Sequence, residues 1–106
     1  MAPLPEQPTL ADFQAAVARL TRKRDWDQRP LSEIFLLFTE EMGELAKEVR
    51  YHEGIQRDAN HTDLDLKGEF ADVFVILLDL ANRTDIDLGE AFRKKMAITE
   101  KRRWDG

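Results

Sequence analysis

The sequence predicts an all-α protein, a four-helix bundle completed by homo-oligomerisation, and three observations carry that prediction. Four segments repeat apolar residues at three- and four-residue spacing, the mark of helices with one buried face. No segment sustains the alternation of a strand, so strand content is expected to be close to nil. The third segment is apolar around most of its circumference, and a chain of 106 residues cannot cover every side of such a helix from within.

The first helix is expected from about Leu10 to Arg24. Thr9 and Asp12 have the spacing of a capping box, and Leu10, Phe13, Val17 and Leu20 form one stripe. A turn from Asp25 to Pro30 leads to a second helix, about Ser32 to Tyr51, rich in good helix formers with Pro30 just ahead of it. A polar connection around Gly54 to Thr62 is expected to be the most mobile loop. Thr62 and Asp65 again have capping-box spacing, before a third helix reaching about Arg83 that contains Phe70, Val73, Phe74, Ile76, Leu77 and Leu80. The fourth starts after Asp87, with Glu90 at its third position, and ends among Lys101, Arg102 and Arg103, cations that complement a negative helix end. Residues 1–106 read as a single domain, with residues 1–8 a disordered tail.

Composition narrows the function. There is no cysteine, so neither a disulfide framework nor a thiolate metal site is available, and a reducing compartment, the cytoplasm, is the expected location. No stretch approaches the roughly 18 to 20 apolar residues of a membrane span. With 21 acidic against 16 basic residues the net charge is −5, which argues against nucleic-acid polymers as partners.

The acidity is concentrated where a simple bundle has no use for it. At about 100° per residue, Ile34, Leu37, Phe38 and Leu45 fall within roughly 60° of Glu41, which therefore sits in the middle of the apolar stripe of the second helix. Glu44 and Glu48 flank that stripe. On the third helix Glu69 and Asp72 lie one turn apart beside Val73, Ile76 and Leu80. Acids at such spacing commonly line a solvated helix face, and Glu40, with Lys47 and Arg50 on the polar side of the second helix, fits that pattern. Carboxylates set among apolar neighbours on two helices are different: they repel one another unless protons or a cation intervene. The donors are all hard oxygens, and His52 and His61 lie at or beyond helix ends, so Mg²⁺, or Mn²⁺ in its place, suits them better than Zn²⁺ or a di-iron centre.

Glu40-Glu41-Met42-Gly43-Glu44-Leu45, followed by Glu69-Phe70-Ala71-Asp72-Val73, resembles the E-E-x-x-E and E-x-x-D signature of the MazG-like pyrophosphohydrolases. The resemblance extends from Arg24-Asp25-Trp26 to Asp85-Ile86-Asp87-Leu88, Lys95-Met96-Ala97, Arg102 and Trp104. It implies an all-α fold and Mg²⁺-dependent hydrolysis of nucleoside triphosphates, with dNTPs the expected class by resemblance to dCTP pyrophosphatases, to a monophosphate and pyrophosphate. By residue match it implies Glu41, Glu44, Glu69 and Asp72 as metal ligands, with Glu40, Glu41 and Glu44 catalytic. Trp26 is implied as a contact to the base, and Lys95 and Arg102 to the phosphate tail. Thr99 stands where many relatives carry Asn, which puts one polar contact to substrate in doubt. The expected assembly is a homodimer or homotetramer. The alternative is a noncatalytic metal- and nucleotide-binding module for helical oligomerisation or sensing, which would bind without turnover.

Overall fold

A computed structural model describes residues 4–55 and 65–102. They form α1 (Leu10–Lys23), a 3₁₀ turn (Trp26–Gln28), α2 (Leu31–His52), α3 (Leu66–Arg83) and α4 (Leu88–Lys101). Among the described residues there is no strand, as expected.

The caps explain where the helices begin. Thr9 Oγ1 accepts from the Asp12 N–H at 3.2 Å and the Asp12 carboxylate accepts from the Thr9 N–H at 2.8 Å, a reciprocal capping box. The Thr9 N–H, with the Thr9 hydroxyl, holds the Asp12 carboxyl below its usual value. Asp87 caps α4 by accepting from the Glu90 N–H at 3.0 Å. At α3 the expected cap moves: Asp65 itself accepts from the Gly68 N–H at 3.1 Å, while Thr62 lies outside the described residues. Gly68 suits that cap, since a Cβ there would run into the Asp65 carboxylate.

Left-handed residues close the helix ends. Gly54, with φ 76°, ends α2 in a turn where the Ile55 N–H donates to the Arg50 carbonyl at 2.9 Å. Asp85, with φ 56°, does the same for α3, where the Ile86 N–H reaches the Ala81 carbonyl at 2.9 Å. Asp tolerates this region better than most residues because its short side chain bonds locally.

Antiparallel α2 and α3 pack along much of their length, α1 lies on α3, and α4 packs chiefly on α1. Val17, Ile34, Tyr51, Leu78 and Ala81 are the buried apolar side chains, and Phe13 meets Phe74 edge to face with centroids 5.7 Å apart. One amide ties three helices together. Gln14 Nε2 donates to Asn82 Oδ1 at 3.0 Å and to the Ile86 carbonyl at 2.9 Å, while its Oε1 accepts from the Leu88 N–H at 2.9 Å. The α3–α4 corner is thereby fixed on α1.

The single chain is open. Its radius of gyration is 16.9 Å, against about 13 Å for a compact domain of this length. Its accessible surface is 8340 Å², against roughly 6,100 Å² for a monomer of this mass. Large apolar side chains are exposed: Leu31, Phe35, Leu36, Leu77 and Ile86 line an open groove of about 720 Å³, and Phe92, Met96 and Ile98 are exposed on α4. No helix is long and apolar enough to cross a membrane among the described residues.

Candidate functional site

The α2–α3 pairing brings together two acids one helical turn apart on α3 and one acid of α2. One carboxylate oxygen from each of Glu41, Glu69 and Asp72 lies within 4.8 Å of the others. Ligands opposite one another on Mg²⁺ stand about 4.2 Å apart, so small side-chain adjustments would close these three oxygens on a single ion. Glu41 and Glu69 are half-buried, whereas Asp72 and Glu44 are exposed in the single chain. The expected inward orientation thus holds for two of the four acids. The other two are left exposed by the described residues.

Glu69 carries the strain of the arrangement. Desolvation pushes its carboxyl above the usual value, and the neighbouring charges of Glu41, Asp72 and Glu44 add to the effect. Its Oε2 is buried without a hydrogen-bond partner among the described residues. A buried carboxylate oxygen in that position is stabilised by a proton or a cation, so the residues present fit a divalent metal. Glu44 lies outside the close trio but within its electrostatic reach. Glu40 is exposed, about 100° around α2 from Glu41.

Trp26 opens the 3₁₀ turn just after Asp25, which is left-handed at φ 58°. Its ring carries the Arg24 guanidinium 5.4 Å from its centroid. Trp26 and Glu41 line one cavity of about 230 Å³ together with Leu37, Ile76, Arg29 and Asp79. The expected base contact and an expected metal ligand therefore share a cavity. Lys95 and Arg102 do not join them: Lys95 is exposed on α4 and Arg102 just past its end, and neither lines that cavity. Trp104 and His61 lie outside the described residues.

Sequence reasoning missed the support beneath Trp26. The Arg83 guanidinium donates to the Trp26 carbonyl at 2.6 Å and to the Arg29 carbonyl, and its Nε pairs with Asp79 Oδ2 at 3.1 Å. The Asp79 and Arg83 side chains are only 10% and 14% exposed. A signal was present: Asp79 is an acid between Leu78 and Leu80, the same misplacement that singled out Glu41.

An α2–α3 pair that gathers carboxylates beside an aromatic-walled cavity is the architecture of a helical nucleotide hydrolase. A family model, the MazG nucleotide pyrophosphohydrolase domain, matches residues 29–104. The chain belongs to that family and is a nucleoside triphosphate pyrophosphohydrolase, which sets the noncatalytic alternative aside. It is 35% identical over 96 residues to the dATP/dGTP diphosphohydrolase of Cyanophage S-2L, covering 91% of this chain and 78% of that protein. It is 31% identical over 102 residues to dCTP pyrophosphatase 1 of Bos taurus, covering 91% of this chain and 60% of that one. The crystal structure of YpjD from Bacillus subtilis superposes with a TM-score of 0.80 at 30% identity, covering 93% of this chain and all of that one.

Proposed function

We propose that the protein hydrolyses deoxynucleoside triphosphates between the α and β phosphates, giving a monophosphate and pyrophosphate, with Mg²⁺ held by Glu41, Glu44, Glu69 and Asp72. The observation that carries this reading is the buried, unpartnered Oε2 of Glu69 inside a trio of carboxylate oxygens. Relatives named for dATP/dGTP and for dCTP support deoxynucleotides as the substrate class. When bound, Mg²⁺, or Mn²⁺ in its place, would neutralise phosphate oxygens and lower the pKa of bound water.

The chain's own side chains divide the remaining work. Trp26, held by Arg83, stacks on the base and sets its distance from the carboxylates. Glu40 and Glu44, exposed beside the trio, are the acids available to take a proton from the attacking water. Lys95 and Arg102 hold the phosphate tail, and since α4 packs chiefly on α1, they reach it in an assembly of copies.

That assembly is a homodimer or homotetramer acting in the cytoplasm, with a second copy covering the apolar groove of α2 and α3 and the exposed face of α4. A panel of nucleoside triphosphates assayed for pyrophosphate release, with Mg²⁺ and with chelator, tests the activity. Metal-dependent pyrophosphate release is expected, and release of single phosphates, or indifference to chelator, would contradict it.

A further inference from the structure

Two of the polar side chains lining the cavity that holds Trp26 are buried, Thr21 and Asp79, at 6% and 7% exposure; the others, Glu41 and Arg29, are half-buried and exposed. The Thr21 hydroxyl spends its single proton on the Ala18 carbonyl at 3.1 Å, which leaves the oxygen's lone pairs for another partner. Asp79 binds Arg83 through Oδ2 at 3.1 Å, and its Oδ1 has no hydrogen-bond partner among the described residues. Arg83 lines the neighbouring cleft, which shares Thr21 and Asp79 with this cavity, and is not among the residues that line the cavity itself. At about 230 Å³ the cavity is below the roughly 300 to 1,000 Å³ of a drug-sized ligand site, which suits one planar base.

We propose that Asp79 and Thr21 are specificity residues that accept the two N–H bonds of an exocyclic amino group on the nucleobase. The pair selects adenine or cytosine over bases that present a carbonyl at the same place. An amino group offers two donors, and two fixed acceptors match it. A carbonyl oxygen would face a carboxylate and a hydroxyl lone pair with no proton between them, and sites of this kind discriminate strongly because the mismatch leaves buried polar groups unpaired. The inference rests on the proposed nucleotide reading and adds the part of the base that is read.

The test pairs dCTP with dUTP, and dATP with dITP, in both Mg²⁺-dependent pyrophosphate release and calorimetric binding with Mg²⁺. The parent protein should favour the amino member of at least one pair by about 10-fold or more in kcat/KM and in binding. Asp79→Asn adds a donor at that point and should shrink the ratio by about 10-fold, mostly through KM, while Thr21→Val, nearly isosteric, should lower it less. If Asp79 only holds Arg83, both variants leave the ratio untouched and depress every nucleotide alike, which overturns the inference. Equal handling of both members of both pairs by the parent overturns it without any variant. Amino-selective binding without turnover would uphold the base reading and sink the hydrolytic one, whereas no nucleotide binding at all would overturn both.

Discussion

Glu69 is where the electrostatics of the site can be measured one residue at a time. Its carboxyl is held above the usual value by burial and by three neighbouring acids. The unfolded chain therefore ionises it first as pH rises, and stability present below its ordinary value of 4.5 is lost as pH climbs through the raised folded value. Glu69→Gln removes this loss. Without metal the variant should melt above the parent at neutral pH, and the gap should close in acid. A gap that stays constant with pH would contradict the repulsion. Arg83 makes the opposite prediction. Replacing it with Met leaves the buried Asp79 without its ion pair and releases the carbonyls of Trp26 and Arg29, so a loss of about 2 to 4 kcal/mol is expected in chemical denaturation. An unchanged midpoint would mean the turn is held some other way. The acids of the trio were legible because helical periodicity alone places them among apolar neighbours. The role of Arg83 was not, because an arginine four residues after an acid reads equally well as half of a surface pair, and only the tertiary contact with the Trp26 turn separates the two.

At the scale of elements, the starts of α1 and α4 were readable because a side-chain cap is a local event, complete within four residues. The start of α3 was displaced because two residues, Thr62 and Asp65, both have cap chemistry, and the bond that Asp65 makes to Gly68 decides between them. The 3₁₀ turn at Trp26 was read only as a turn. Its geometry depends on Arg83, which is distant in sequence. Gly43 lies in the interior of α2, between the motif acids, and a Cβ there would meet nothing within 4 Å. Gly43→Ala should therefore stabilise the chain by about 0.5 to 1 kcal/mol through helix propensity. Destabilisation, seen as a lower melting temperature at fixed protein concentration, would show instead that a neighbouring copy approaches the α2 backbone there.

The whole molecule is the scale at which the single chain is least self-sufficient. Among the described residues, large apolar side chains stand exposed along the groove of α2 and α3 and on α4. The apolar circumference of α3 already suggested a missing cover. The exposed apolar residues of α4 were not anticipated as part of it. Light scattering at micromolar concentration should give a dimer or tetramer, and Leu36→Glu, in the groove, should shift the population toward smaller species. A monodisperse monomer would remove the basis for completing the site between copies. The central claim, that the α2 and α3 carboxylates form the catalytic metal centre, is tested most directly by pyrophosphate release at saturating Mg²⁺. The comparison sets Glu41→Gln, Glu69→Gln and Asp72→Asn beside the parent and Glu90→Gln, an exposed acid of α4 outside the site. Each of the three should lower turnover by roughly a hundredfold or more with the fold intact, and Glu90→Gln should leave it unchanged. Near-parental rates in the three, or an equal loss in Glu90→Gln, would contradict the assignment.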